Sequence, residues 1–481
     1  MSDASPDAVT APPARRVRQG SLLSYGFGAV AYGVKDNGFG TFLLLFYNQV
    51  VGLPASTVGF IIAAALILDA FVDPAVGFLS DRTRTRWGRR HPWMYASALP
   101  IGLGWLLVWS PPQWSEGALL VWLFATAVLV RSAVSAYEVP SVALTAELSS
   151  DYDERTRIMA YRYLFGWAGG LGILFAAYAF FLVPDPVTAG RSGFFGYGVA
   201  SASLIVLAIL VSSLGTHREI ARLPKAAPAG GTIGDELREM AGSVRNRGFV
   251  VLMLAALCLY TNQGISFALS NYLYGYVWRF EARAFALVPA VLLVGATLAF
   301  VMAPRLGRRF GKPKAACALM LGQVALLTAP YLLRLAGLFP APGDPAMLPI
   351  LLSVFALNAA CGISAMILGA SMMADVVEDA EVKTGKRSEG VFFAGSFFVQ
   401  KCTSGLGIFI VGLILDGVGF PVGARPGAVP EPVLDRLTLV FATAYIALGV
   451  VGALIFTRFP FGRAEHENRL AALGAATTER T

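Results

Sequence analysis

Apolar residues along this 481-residue chain are not scattered but gathered into a dozen long runs, each close to the roughly 20 residues a helix needs to cross a bilayer. The runs predict twelve transmembrane helices. Six fall at about Leu22–Val50, Ser56–Leu79, Pro92–Ser110, Gly117–Ala146, Ile158–Leu182 and Phe194–Leu214. Six more fall at about Phe249–Val277, Ala284–Ala303, Ala315–Ala336, Met347–Ala374, Gly390–Leu415 and Leu434–Thr457. Between the two sets, residues 215–248 interrupt the pattern with charges, Pro224, Pro228, Gly230 and Gly231, then a short amphipathic stretch over Asp235–Val244. The predicted organisation is a tail (1–20), a six-helix half (21–214), a linker (215–248), a second six-helix half (249–458) and a second tail (459–481). The first twenty residues hold three arginines and no apolar stretch, which predicts a short cytoplasmic tail rather than a cleaved signal peptide.

Composition sharpens this picture. Hydrophobic residues make up 56% of the chain and charged residues 14%, against about a quarter in an ordinary globular protein. A soluble enzyme, a disordered chain and a coiled coil are excluded together. The net charge of +8 suggests nucleic acid until the basic residues are sorted by position. Of the 38 Lys and Arg, 28 lie in the tails, the linker and the loops after every second span, six in the opposite loops and four within spans. That asymmetry orients both termini to the cytoplasm and accounts for the positive charge without a nucleic-acid partner. Cys258, Cys317, Cys361 and Cys402 lie in apolar runs with no pairing or metal spacing, as small core residues do.

Both halves carry a basic loop after their second span: Asp81-Arg82 through Gly88-Arg89-Arg90 in the first, and Arg305 through Gly311-Lys312 in the second. Equivalent signals at equivalent positions indicate a duplicated unit, and repeats that enclose a site near the bilayer midplane are a transporter architecture. Both loops could be orientation anchors alone. Asp81, however, adds little to orientation, and beside Arg82, Arg89 and Arg90 it suggests a latch holding one gate conformation.

The remaining charges lie where a bilayer makes them costly, so each is a functional candidate. Asp69 and Asp73 in the second span are four residues apart and share a helix face. Two carboxylates so placed can share a small cation such as Na⁺, or one can hold a proton. Alternatively, Asp73 caps the helix end and Asp69 pairs with an Arg elsewhere. Glu138 precedes Pro140 in the fourth span, and Arg162 opens the fifth. The two can neutralise each other while empty and then bind hydroxyls or an anionic group. Lys401 in the eleventh span has no carboxylate on its own helix, so its partner must come from across the bundle. Lys35 and Asp36 can form a self-satisfied pair, and Arg131 is expected to snorkel or to pack near a helix end. Tyr25, Tyr32, Tyr137 and Tyr161 lie on charged spans and can offer rings to a sugar face.

Taken together these residues resemble the glycoside–pentoside–hexuronide:cation symporters, the melibiose-carrier branch of the major facilitator superfamily. The resemblance covers about Leu22 to Phe459. It rests on Tyr25-Gly-Phe-Gly-Ala29, Asp69-Ala-x-x-Asp73-Pro74, the Asp81-Arg82 to Trp93 loop, Glu138-Val-Pro140, Asp153-Glu154-Arg155-Thr-Arg157, and Ala374-Asp375-Val-Val-Glu378 through Glu389-Gly390, followed by Lys401. It implies an all-α fold of twelve helices in two halves. It also implies a Na⁺ or H⁺ site at Asp69 and Asp73 completed by Ser135, sugar contacts at Glu138 and Arg162, and Lys401 near the cation. Three departures stand out. Gly33 replaces an Asp that sugar carriers can have in the first span, with Asp36 about one turn later. Val72 replaces an amide between the paired carboxylates, and Val142 replaces an aromatic that can stack on sugar.

The expected function is cation-coupled symport of a sugar or glycoside by alternating access in the inner membrane. The expected substrate residues are Glu138, Arg162, Lys401, Tyr137, Lys35 and Asp36, with gating by Asp81, Arg82, Arg89 and Arg90. No cofactor beyond the coupling ion is expected, and the carrier is expected to work as a monomer. Carriage of a lysophospholipid or another amphipathic solute on the same fold is the alternative within transport, and a non-transporting membrane sensor is the alternative outside it. Catalysis is not expected, because no nucleophile–base constellation or metal cluster is present and His91, His217 and His466 all lie in loops or tails.

Overall fold

A computed structural model describes residues 17–149, 152–220, 246–384 and 389–460, together with three isolated linker positions. The rest of both tails and of the linker, most of the Asp235–Val244 stretch included, lie outside the described residues, as do positions 385–388. Within the described residues the chain is helical throughout, and one isolated bridge, Thr85 to Gly88, closes the turn of the first basic loop.

The helices in chain order are α1 (Gln19–Phe27), α2 (Ala29–Asn37), α3 (Ala55–Arg82), α4 (His91–Trp109), α5 (Glu116–Leu148), α6 (Tyr152–Ala176) and α7 (Pro186–His217). After the linker come α8 (Arg247–Tyr272), α9 (Ala282–Phe310), α10 (Lys312–Leu335), α11 (Met347–Thr384), α12 (Glu389–Gly417) and α13 (Glu431–Phe456). Ten of these are long and apolar enough to cross a membrane. The other two expected spans are irregular. The first is divided into α1, α2 and two π-helical segments, Gly38–Leu43 and Phe46–Val51. The third is α4, whose 19 residues are diluted by Pro, Gly, His and Trp. Large apolar side chains such as Phe60, Leu99, Phe180, Phe300 and Leu454 point outward, as a lipid-facing surface requires.

The helices pack with a repeated logic. The second span of the first half (α3) lies against the fifth of the second half (α12), and the fifth of the first half (α6) lies against the second of the second half (α9). This reciprocal pairing is what two parallel repeats produce around an axis along the membrane normal. Small residues let the backbones approach. A side chain at Gly412 would meet the Ala55 carbonyl at 2.4 Å, and one at Gly405 would meet the Ala63 Cα at 3.1 Å, so α3 and α12 touch nearly along their length.

One end of the bundle is tied across the halves by hydrogen bonds. Asn271 donates to the Thr41 carbonyl at 2.9 Å and accepts from Tyr178 at 2.9 Å. Tyr272 donates to Asn48 at 2.9 Å, and the Ser56 amide donates to Asp416 at 2.9 Å. Gln49 accepts from the Ala424 amide at 2.9 Å and donates to the Pro421 carbonyl at 3.2 Å. This girdle sits at the start of α3, and the first basic loop leaves its other end. Asp69 is about 20 Å from either end of α3 at 1.5 Å per residue, near the middle of the bundle.

Gly33 shows how tightly the first half is built. A Cβ there would lie 2.0 Å from the Gly166 carbonyl and 2.9 Å from the Gly170 amide nitrogen, so α2 and α6 meet backbone to backbone. Gly33→Ala is therefore expected to force the helices apart at a cost of about 1–3 kcal/mol, typical of overpacking. A lowered melting temperature of the detergent-purified protein is the readout, and an unchanged one would refute this packing argument.

Candidate functional site

The site is organised by one face of α5. Arg131, Ser135, Glu138, Ser141 and Thr145 follow at spacings of four, three, three and four, which stacks them in a single stripe. The upper part of the stripe meets α3. Arg131 grips Asp69 Oδ2 with Nε at 3.1 Å and Nη2 at 3.0 Å, and the Ser135 hydroxyl donates to Asp69 Oδ1 at 2.8 Å. From the opposite half, Lys401 Nζ lies 3.0 Å from Asp69 Oδ2 and 2.6 Å from Asp73 Oδ2. Asp73 Oδ1 is buried and accepts no hydrogen bond. Pro74 follows directly and removes the amide that would bond the Ala70 carbonyl, so this part of α3 has unspent acceptors.

The lower part of the stripe meets α1 and α6. Arg162 donates to Ser141 Oγ at 2.7 Å and stacks on the Tyr25 ring, 5.1 Å from its centroid. Tyr25 in turn donates to the Ser141 carbonyl and shares a 2.7 Å hydrogen bond with Thr145. Between the two clusters lies Glu138. It is half-buried and makes no hydrogen bond or ion pair among the described residues, although Lys35, Arg162, Lys401 and Asp73 all act on it electrostatically. Lys35, itself buried, pairs with Asp36 at 3.7 Å and lies over the Tyr32 ring at 4.6 Å, leaving the Asp36 side chain half exposed. Four acids (Asp36, Asp69, Asp73, Glu138) thus face four bases (Lys35, Arg131, Arg162, Lys401) in the middle of the bundle.

The structure brings together Asp69, Asp73, Ser135 and Lys401 as one cluster and arranges Glu138, Arg162, Lys35 and Asp36 around it. Two expectations change. Arg131 does not snorkel: its side chain is 4% exposed and its charge is spent on Asp69. This realises half of the alternative reading of the acid pair, since Asp69 does pair with an Arg, while Asp73 turns to Lys401 instead of capping a helix end. Tyr137 is not a ring offered to solute. It is 2% exposed, with its hydroxyl wedged where a Gly28 side chain would be and beside Ser212, so it packs within the first half. Val142, where a stacking aromatic is absent, is exposed.

The latch also has an unforeseen member. Asp81 pairs with Arg90 and, at 3.8 Å, with Arg89, but both arginines also converge on Glu147 at the end of α5, at 3.0 and 2.7 Å. Arg90 further donates to Ser80 at 2.8 Å. Arg82 stacks on Phe78 at 3.4 Å from the last turn of α3. The second half has a matching pair, Lys312 on Asp375 of α11 at 2.8 Å. In both halves a base after the second span reaches an acid on the fourth. All the latch residues of the first half belong to that half, so the latch fixes α3, α4 and α5 to one another. Arg131, Ser141 and Thr145 were discoverable from the spacing of the α5 polar face, whereas Glu147 lies on another face of the helix and only the packing of the basic loop reveals its role.

A helical bundle of paired repeats around a central charged cluster defines a transporter of the major facilitator type. Comparison with known proteins agrees. The family model described as MFS/sugar transport protein matches residues 24–463. The chain is 29% identical to an uncharacterised symporter of Synechocystis, over 92% of this chain and 94% of that one. It is 25% identical to the isoprimeverose transporter of Lactiplantibacillus pentosus, over 83% and 80% of the two chains. It is also 25% identical to the sodium-dependent lysophosphatidylcholine symporter 1-A of Danio rerio, over 93% and 87%. Among solved structures, the inward-open xylose transporter XylE of E. coli superposes with a TM-score of 0.61 at 15% identity, over 94% of this chain and 98% of that one. The chain belongs to the MFS/sugar transport family, in its glycoside–pentoside–hexuronide:cation symporter-like branch. It is an integral multi-pass membrane transporter, not an enzyme.

The Lys401–Asp73 pair makes a specific prediction. Removing one partner leaves the other charge uncompensated, whereas removing both does not. Lys401→Met and Asp73→Asn are each expected to lower the melting temperature of the purified protein, and the double variant to melt above the Lys401→Met single. Strict additivity of the two losses would show that the pair is not coupled.

Proposed function

We propose that this chain is a secondary active transporter of the inner membrane that carries a sugar or glycoside together with a cation, Na⁺ or H⁺. Both termini lie in the cytoplasm, the linker over 215–248 joins two six-helix halves, and a monomer is the working unit. The observation that carries this reading is the central cluster in which Lys401 of the second half holds Asp69 and Asp73 of the first. A cation entering that cluster would loosen a tie between the halves, which is what coupling to alternating access requires. Glu138 supports the sugar assignment: a half-buried carboxylate without a partner among the described residues, within the field of the Arg162 guanidinium, can accept hydrogen bonds from two hydroxyls. The girdle supports a conformation closed on the side away from the basic loops, and so closed to the exterior if the termini are cytoplasmic.

The relative named for lysophosphatidylcholine supports a second reading, an amphipathic solute in place of a sugar. Val142 favours it, because an aliphatic side chain offers no ring for a sugar to stack on. A thermal-shift screen of the purified carrier against sugars, glucuronides and lysolipids separates the two. Stabilisation by a sugar or glucuronide supports the first reading, and stabilisation by lysolipids alone replaces it with the second.

Two variants test the roles. Asp73→Asn is expected to remain folded yet lose uphill uptake into proteoliposomes; undiminished gradient-driven accumulation would sink the coupling role. Glu138→Gln is expected to weaken the response to the identified solute by roughly tenfold or more, as loss of a charge-assisted hydrogen bond does. Unchanged affinity would remove Glu138 from the solute site.

A further inference from the structure

The resemblance offers Na⁺ a site at Asp69, Asp73 and Ser135, and the geometry of Asp69 bears directly on whether a metal ion fits there. Its Oδ2 receives Arg131 Nε at 3.1 Å, Arg131 Nη2 at 3.0 Å and Lys401 Nζ at 3.0 Å, while Oδ1 receives the Ser135 hydroxyl at 2.8 Å. Each carboxylate oxygen has about two lone-pair positions, so Oδ2 is saturated by its three donors and Oδ1 keeps one position beside the Ser135 hydroxyl. Asp73 Oδ2 is taken by Lys401, and Asp73 Oδ1 is the one carboxylate oxygen of the pair that receives no donor. Val72 supplies no side-chain oxygen between the two acids.

Charge leads to the same conclusion. Two carboxylates already face two fixed cations, so the cluster is neutral as it stands, and an added Na⁺ would bring an uncompensated charge into the bilayer interior. Without Arg131 the remaining Asp69, Asp73 and Lys401 would carry one net negative charge, which a monovalent cation would balance. Nor is Arg131 a visitor to the site. It is buried, it holds Asp69 with two N–H groups, and its guanidinium lies over the Phe39 ring at 5.5 Å from the centroid. A guanidinium is protonated at any physiological pH, so its charge is permanent.

We propose that Arg131 is a built-in cation that occupies the place of a coupling Na⁺ at Asp69 and closes this site to the metal. It is thus the residue that sets ion specificity in this chain. The inference rests on the transport reading above for its relevance to coupling, but its test does not depend on uptake. Purified wild-type protein is expected to show no saturable ²²Na⁺ binding and no Na⁺-dependent rise in melting temperature. Arg131→Ala, which opens the pocket and leaves its net charge negative, is expected to acquire both, and Asp69→Asn added to it to abolish them. Where Arg131→Ala does not yield folded protein, Arg131→Gln keeps the bulk, removes the charge, and carries the same expectation. Saturable Na⁺ binding by the wild type would overturn the proposal, as would a folded Arg131 variant that binds no Na⁺. Failure to take up any solute under any ion gradient would refute the transport reading, and with Na⁺ binding still confined to the Arg131 variants it would leave this assignment supported.

Discussion

Everything distinctive in this molecule follows from the cost of placing charge where water is absent. An ionised side chain in the bilayer interior must be answered by an opposite charge or by enough hydrogen bonds, because solvent cannot do it. Here eight such side chains share one region, and most of the connections among helices there are ways of answering them. Arg131 binds α5 to α3 through Asp69, and Lys401 binds α12 to α3 through both acids. Arg162 binds α6 to α5 through Ser141. The charged centre is therefore also a structural hub, and any change in its charge is felt by at least three helices.

That dual role separates two kinds of polar tie between the halves. The girdle at one end consists largely of neutral amides, tyrosines and carbonyls, each individually weak and exchangeable with water when the end opens. The tie at the centre is ionic and lies deep in the bundle, so it responds to whatever charge or hydrogen-bonding solute arrives. A bundle with a soft neutral seal at one end and a charge-sensitive clasp in the middle can let occupancy of the centre decide whether the seal holds. The latches formed by Asp81, Arg89, Arg90 and Glu147 in one half and Lys312 and Asp375 in the other lie within their own halves. They brace each half internally and leave the interface between the halves to the girdle and the central clasp.

Much of this was legible in the sequence, for reasons that also explain what was not. The spans could be read because a bilayer demands long apolar runs and because basic residues sort by side. Asp69, Asp73, Glu138, Arg162 and Lys401 could be read because a charge in such a run is rare. What a single sequence does not display is which charge faces which. Arg131 looked like an ordinary end-of-helix arginine until α5 was turned so that it, Ser135, Glu138, Ser141 and Thr145 shared a face. The girdle was missed because Asn48, Gln49, Asn271 and Tyr272 are common interfacial residues, and only the tertiary packing gives them partners. Tyr137 erred in the other direction: sequence proximity to Glu138 suggested a shared cavity, but neighbours along a helix point about 100° apart, and its ring turns into the first half.

Gly33 and Asp36 show the same constraint acting on the first span. Where sugar carriers can have an acid, this chain has a glycine whose α-carbon is pressed against the backbone of α6, and the nearest acid is three residues on, paired with Lys35 and half exposed. The contact leaves no room for a side chain at 33 without separating α2 from α6. A carboxylate serving the centre from the first span must therefore come from the next turn, at Asp36. The close backbone contact and the displaced acid are one feature, and so are Arg131 and the balanced charge of the carboxylate pair it holds. In each case the local arrangement changes the space and the charge available at the centre. On the proposed function, solute and ion preference follow from how the eight charges are divided among the helices, more than from the presence of any one of them.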